Sequence, residues 1–314
     1  MPLHIVFMGT PEFAVPTLEI LIPHHHVVAV VTAPDKPRGR GLKLQASAVK
    51  LCALKHHIPL LQPDNLKDLN FLNSLKNLHA DVFVVVAFRM LPKEVWNMPP
   101  LGTFNLHASL LPKYRGAAPI HFAIINGEKE TGLTTFRIQQ EIDTGEIALQ
   151  TKIPIKQTDT AGILHDKMKI LGADLMLQTL YLLEKNKLQL IPQSNEQASY
   201  APKITKSFCQ INWNNSCTTL YNFIRGLSPY PAAHTYFEIN FKKTYCKILW
   251  AEEKLSEHTH QPGTILTDNK QYLKIATQDG YMDIQHIQPE GKKQMRIDEF
   301  LRGNKLTKNT CILS

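Results

Sequence analysis

Apolar and polar positions follow one rhythm up to about residue 187 and another beyond it. In the first part, short β-branched runs alternate with stretches of helical period. Leu3–Met8 reads as a buried strand, followed by Gly9-Thr10-Pro11 and a helical pattern from Glu12 to Leu21. Val27–Thr32 is a second strand-like run, a polar loop extends to Leu44, and Ala46–His57 has helical periodicity. Asp81–Ala87 holds five valine or phenylalanine residues in a row, the signature of a strand buried on both faces. Thr103–Leu106 is another apolar run, and the last long helix is expected over Ala161–Glu184. This alternation predicts an α/β layer fold with a mostly parallel, Rossmann-like sheet.

After Leu190 the texture changes. Pro192–Gln197 is polar and turn-rich, as a linker would be. One helical stretch, Cys217–Leu227, then precedes strand-like runs at Ala233–Ile239, Thr244–Ala251, Thr264–Thr267, Tyr272–Ala276 and Tyr281–Ile287. Gly, Asn and Asp turns separate them at a spacing that predicts a small, OB-like β-barrel. The expected domains are 1–189, a linker over 190–207, and a barrel over 208–314.

Composition narrows the class. The chain of 314 residues is 43% apolar and 20% charged, as in a soluble globular protein, with a net charge of +8 and a pI near 9.1. That charge permits a polyanionic partner without demanding one. It is evenly spread: residues 206–314 hold 14 Lys and Arg against 10 Asp and Glu, and the residues before them 21 against 17. Any nucleic-acid face must therefore arise by local clustering. The five cysteines form no CxxC pair, which fits free thiols in a reducing compartment. No signal peptide and no span-length apolar run is read, so the cytoplasm is the expected location.

Candidate chemistry concentrates in one place. Asn105 and His107 lie two apart at the end of a predicted strand, so both side chains leave one face. A turn through Ser109 and Pro112 follows, and Asp143-Thr144-Gly145 comes some thirty residues on. An amide donor, an imidazole and an orienting carboxylate suffice for acyl transfer to an amine. On spacing alone, a satisfied strand-end histidine and a turn aspartate are the better fit, since lone polar residues at turns are common. The Met8–Glu12 turn has one glycine, not GxGxxG, and no acidic residue ends the second strand, so a nicotinamide cofactor is poorly supported. His24–His26, His56-His57 and the His258/His260 pair lack metal-ligand partners in sequence, and no metal is expected.

The segments HASLLPKYRGAAPI and DTGEI closely resemble those of the methionyl-tRNA formyltransferases, as do IVFMGTPEFAVPTL, TAPDKPRGRGLKL, SYAPKITKS, PGTIL, ATQDG and GKKQM. The resemblance covers nearly the whole chain. It implies a formyltransferase domain followed by a barrel, 10-formyltetrahydrofolate as formyl donor, and initiator methionyl-tRNA as acceptor. It implies that Asn105, His107 and Asp143 carry out the transfer, and that Ser109, Leu110, Leu111 and Pro112 contact the folate. The basic loop Pro34–Lys43 would approach the tRNA through Arg38, Arg40 and Lys43, ordering when RNA binds, with Lys203 and Lys206 adding to the RNA surface. The pattern departs at Val86–Pro92, where Arg89 stands near the expected glycine and the run is one residue shorter. A monomer is expected. The rival readings are formyl transfer to a small amine, hydrolysis of the formylfolate, or a catalytically inert RNA-binding protein.

Overall fold

The computed structural model describes residues 1–38, 43–307 and 311, the side chains at 37, 38 and 43 excepted. The chain divides into two compact units: 1–116 with 131–154 and 165–201, and 117–130 with 155–164 and 202–314.

The elements up to residue 201 run β1 (His4–Gly9), α1 (Val15–Leu21), β2 (His26–Val31), β3 (Lys36–Arg38), β4 (Lys43–Gln45), α2 (Ala48–Lys55) and β5 (Leu60–Leu61). Then come α3 (Leu69–Asn77), β6 (Val82–Val86), α4 (Lys93–Trp96), β7 (Thr103–His107), β8 (Arg115–Gly116) and α5 (Pro119–Ile125). β9 (Glu130–Arg137), β10 (Ile147–Pro154), α6 (Ala161–Glu184) and β11 (Tyr200–Ala201) complete this part.

The first unit is built on a seven-stranded sheet ordered β10-β9-β7-β6-β1-β2-β5. β7, β6, β1, β2 and β5 are mutually parallel, and β9 joins β7 antiparallel. Ile5, Val6, Phe7 and Met8 are fully buried, and β6 is buried along its length. Such strands need apolar cover on both faces, which explains their unbroken hydrophobic runs. On one face Val6, Met8, Ala29, Val31, Phe83 and Val85 pack with Phe71 and Leu75 of α3 and Val95 of α4. Helix starts are fixed by local capping: the Ser47 hydroxyl accepts from the Lys50 amide, and the Asp68 carboxylate from the Phe71 amide.

The expected polar loop before Leu44 is in part a two-stranded ribbon, with Lys36 opposite Gln45 and Arg38 opposite Lys43. Backbone pairing makes it, so hydrophobic alternation could not announce it. Its ends are pinned: Thr32 Oγ1 lies 2.8 Å from Ser47 Oγ, and Asp35 accepts from Lys50 Nζ (2.7 Å) and Gln62 Nε2 (3.0 Å). The Lys50 and Gln62 bonds hold the Asp35 carboxyl below the usual carboxylate range.

The second unit continues with α7 (Cys217–Leu227), β12 (Ala233–Ile239), β13 (Lys242–Leu255), β14 (Ile265–Thr267), β15 (Leu273–Ala276), β16 (Gly280–Pro289), β17 (Met295–Arg296) and α8 (Ile297–Gly303). The strands form an antiparallel sheet ordered β12-β13-β16-β15-β14, with β17 beside β16. The path is a half-barrel, and Leu306 and Cys311 tie its edges. Leu306 pairs with Ile239 and donates its amide to Asn269, and the Cys311 amide donates to the Gly263 carbonyl. Cys217, Leu220, Ile224 and Leu227 bring one face of α7 to the core, where Phe237, Ile248, Ile275, Met282, Ile284 and Phe300 meet. Arg225, 3% exposed, donates to the Asn222 side chain and to the carbonyls of Lys156 and Asp159. Burial depresses its pKa.

All five cysteines are unpaired and buried. Burial raises each thiol pKa, that of Cys246 up to about 12. No helix among the described residues is long and apolar enough to cross a membrane.

Candidate active site

The site lies where the parallel strands end and β7 meets antiparallel β9. Along β7, Phe104 and Leu106 alternate with Asn105 and His107, and Asn105 lies opposite both Val85 and Phe136. His107 is 6% exposed and its ring meets Phe136 edge-on at 6.5 Å. Its Nε2 is 2.9 Å from the carbonyl oxygen of Tyr114. A carbonyl only accepts, so Nε2 carries the proton in that bond. The nitrogen free to gain or lose a proton is then Nδ1, and it faces Asp143 Oδ2 at 3.8 Å.

Asp143 sits in the connection between β9 and β10, on left-handed backbone with φ of 55°. Aspartate is one of the few residues other than glycine that take this conformation readily. Here Asp143 Oδ2 accepts from the Gly116 amide at 2.8 Å. Two residues on, Gly145 is packed so closely that a Cβ there would lie 1.8 Å from the Arg137 carbonyl oxygen. Sequence-distant His107 and Asp143 are thus brought side by side, with side-chain exposures of only 7% and 14%. The Asn105 side chain is half-buried and has no hydrogen-bond partner among the described residues. The arrangement offers an unspent amide, an imidazole with one nitrogen fixed and one available, and a carboxylate beside it. This set can hold a developing oxyanion and accept a proton.

The loop after His107 is rigidly tied. Ser109 Oγ donates to the Lys113 carbonyl (2.6 Å), and Thr134 Oγ1 donates to the Ser109 carbonyl (2.7 Å) while accepting from the Leu111 amide (3.1 Å). Gln150 Nε2 reaches both Thr134 Oγ1 and the Leu111 carbonyl at 2.9 Å. Ser109 and Leu111 are buried, while Leu110 and Pro112 keep part of their surface. Thr134 and Gln150 carried no sequence signal, because their part is to bond backbone groups of a distant loop.

Arg89 has a local explanation. Its guanidinium donates to the carbonyls of Pro63 (2.8 Å) and Asp64 (3.0 Å) and lies 5.3 Å from the Phe88 ring centre. It fastens the segment leaving β6, where Ala87 has φ of 49°, to the loop after β5.

Of the cations singled out for RNA, Arg40 lies outside the described residues, as do the side chains of Arg38 and Lys43. Lys203 and Lys206 are exposed in the second unit. One group of possible metal ligands occurs among the described residues: Glu19, Cys52 and His56, with ligand atoms within 4.8 Å of one another. Lys55 already lies 3.6 Å from Glu19, and burial favours the neutral Cys52 thiol.

Comparison with known proteins decides the family. Residues 3–180 match the formyl transferase family and residues 203–305 its C-terminal domain. This chain belongs to the formyl transferase family. The methionyl-tRNA formyltransferase of Bacteroides fragilis is 50% identical over 311 residues, covering 97% of this chain and 96% of that one. Among solved structures, an N-formyltransferase from Helicobacter canadensis, in complex with folinic acid and dTDP-3-aminofucose, is 22% identical with a TM-score of 0.65. The match covers 93% of this chain and all of that one. HypX from Aquifex aeolicus, in complex with tetrahydrofolic acid, has a TM-score of 0.65 at 18% identity, over 96% of this chain and 47% of its own. At that identity the two structures establish the shared fold. Within the formyl transferase fold of this chain, Asn105, His107 and Asp143 occupy the sheet end described above.

Proposed function

We propose that this formyl transferase moves the formyl group of 10-formyltetrahydrofolate to the amino group of methionine on initiator tRNA, acting as a monomer in the cytoplasm. The observation that carries the reading is the approach of His107 to Asp143, with Asn105 two residues before His107 on β7, on a chain half identical to a methionyl-tRNA formyltransferase along nearly its full length. The amine nitrogen attacks the formyl carbon, giving a tetrahedral intermediate with a negative oxygen and a positive nitrogen. The nitrogen gives up its proton to His107 Nδ1, beside Asp143, and the imidazolium so formed stabilises that oxygen together with the Asn105 amide. The same proton then passes to the folate nitrogen as its bond to the carbon breaks and the oxygen's electron pair re-forms the carbonyl. Ser109, Leu110, Leu111 and Pro112 form the folate-side wall, where fixed backbone groups and the partly exposed Leu110 and Pro112 suit a flat ring. The donor is already activated, so the proposed reaction requires no metal.

The acceptor's tRNA would be held by the 34–43 loop, with Arg38, Arg40 and Lys43, and by the second unit with Lys203 and Lys206. Support for the latter comes from the outer face of β12 and β13. Tyr236 and Tyr245 are cross-strand partners with ring centres 5.7 Å apart. Lys206 lies 5.2 Å from the Tyr245 ring centre, Lys243 4.7 Å from Tyr236, and Lys247 5.9 Å from Tyr230. The rings hold three ammonium groups along one face, which suits a row of phosphates. His234 between them is buried, and burial first, then Lys206 and Lys247, lowers its pKa, so it adds no charge there at neutral pH. Replacing Lys206, Lys243 and Lys247 by alanine together is expected to raise the KM for tRNA. It should also flatten the dependence of log affinity on log salt by about 2 to 3, at roughly 0.7–0.9 for each phosphate left without its cation. An unchanged slope in a filter-binding titration over salt would remove this face from the RNA site.

The acceptor itself is tested by offering charged initiator tRNA, charged elongator methionine tRNA, free methionine and an amino sugar nucleotide with the same formyl donor. Formylation of the initiator alone is expected. Equal formylation of the amino sugar nucleotide would transfer the assignment to small amines.

A further inference from the structure

We propose that Gln193, backed by Arg115, is a positioning residue that holds Asp143 against His107; this rests on the catalytic reading of Asp143 given above. Gln193 lies in the polar stretch after α6, where composition suggests a mere connection. Its amide is nevertheless fully engaged inside the first unit. Gln193 Nε2 donates to the main-chain carbonyls of Asp143 (2.9 Å) and Gly145 (2.7 Å), one hydrogen to each side of the turn. Its Oε1 accepts from Arg115 Nε (3.1 Å) and Nη2 (2.8 Å), a two-pronged bond that fixes the plane of the amide. Arg115 is 4% exposed, and its Nη1 donates to Asn195 Oδ1 at 3.0 Å.

The same arginine controls the other side of Asp143. Its main-chain amide donates to Ser199 (2.9 Å), and β8 pairs with β11 through Arg115–Tyr200 and Gly116–Ala201. That pairing sets the Gly116 amide, which binds Asp143 Oδ2 at 2.8 Å. Arg115 therefore fixes both the backbone of the Asp143 turn, through Gln193, and the carboxylate, through Gly116. These bonds select one geometry for a turn whose left-handed aspartate, a residue that tolerates such backbone, does not fix it alone. Released from them, the turn relaxes and the carboxylate moves from His107 Nδ1 without altering either substrate's binding surface. Displacements of about 1 Å at a reacting group cost rates as large as about 10²-fold.

The test is a double-mutant cycle on the full chain, with methionyl-tRNA and 10-formyltetrahydrofolate as substrates. Gln193→Glu keeps the size of the side chain and its bond to Arg115, and it replaces both donors to the turn by an oxygen facing two carbonyls. It is expected to lower kcat by about 10- to 100-fold, the scale for a reacting group displaced by up to about 1 Å. Both KM values should stay within about twofold, since binding contacts are untouched. On an Asp143→Asn background the same change should cost no more than about twofold, because residues acting through one group are not additive. Costs that multiply across the two sites, or a rise in KM with kcat unchanged, would overturn the positioning role. A silent Asp143→Asn would instead remove the catalytic reading of Asp143, whatever Gln193→Glu does, so the two failures are distinct. Thermal unfolding checks the fold of each variant. If Gln193→Glu does not fold, Gln193→Met, of the same length and uncharged, enters the same cycle.

Discussion

His107→Ala is expected to lower kcat for formyl transfer by about 10²- to 10⁴-fold, the range for loss of a positioned acid or base. The ring is held from both sides, by the Tyr114 carbonyl at Nε2 and by Asp143 beside Nδ1. Only Nδ1 can therefore exchange a proton with the reacting groups. Asn105→Ala removes one oxyanion donor and should cost about 10²–10³-fold. Neither residue belongs to the lysine face, so tRNA affinity in a binding titration should hold. The alanine at 107 also removes the imidazole bond to the Tyr114 carbonyl, at a cost of about 0.5–1.5 kcal/mol in stability. Rates are therefore compared well below each variant's unfolding midpoint. Retention of more than about a tenth of wild-type kcat by His107→Ala would remove the histidine from the mechanism.

The second large effect is expected at a residue with no side chain. Gly145→Ala would place a methyl 1.8 Å from the Arg137 carbonyl oxygen and 3.1 Å from Phe136 Cδ2. Neither can withdraw, since both belong to β9, so the turn itself must open. Gly145 also offers its carbonyl to Gln193, so its displacement pulls on Asp143. We expect kcat to fall by about 10²-fold, as for misplacement of a reacting group. Stability should fall by about 1–3 kcal/mol, the ordinary cost of overpacking. Gly303→Ala is the control: the added methyl meets nothing within 4 Å, and neither activity nor midpoint should drop. Full activity in Gly145→Ala would show that the tight turn does not set the position of Asp143.

The parts of the fold legible in the sequence were those written in hydrophobic periodicity. The helices Ala161–Glu184 and Cys217–Leu227 and the strand Ala233–Ile239 have the same limits in sequence pattern and structure, because each buries a regular face. Asn105 and His107 could be placed on one face from the two-residue period of a strand alone. Asp143 could not, since nothing local says that a turn after β9 folds back to β7; only resemblance pointed to it. Gln193, Arg115 and Thr134 act through single hydrogen bonds to distant backbone. Polarity in sequence then looks the same whether a residue is solvated or buried and satisfied. The β3–β4 ribbon is hidden in the sequence for a related reason, as backbone ladders leave no mark in Lys36-Pro37-Arg38. The second unit also gathers α5 and the 155–164 segment, a grouping set by contacts such as Arg225 with Lys156 and Asp159, far apart along the chain.

Transfer of a formyl group from folate to the amine of charged methionine has a stoichiometry that can be measured. Wild-type protein is mixed with 10-formyltetrahydrofolate and charged initiator tRNA, and tetrahydrofolate and N-formylmethionyl-tRNA are quantified together over a single turnover. One tetrahydrofolate per formylated tRNA is the expected result. Tetrahydrofolate released without formylated tRNA, or neither product at all, would contradict it.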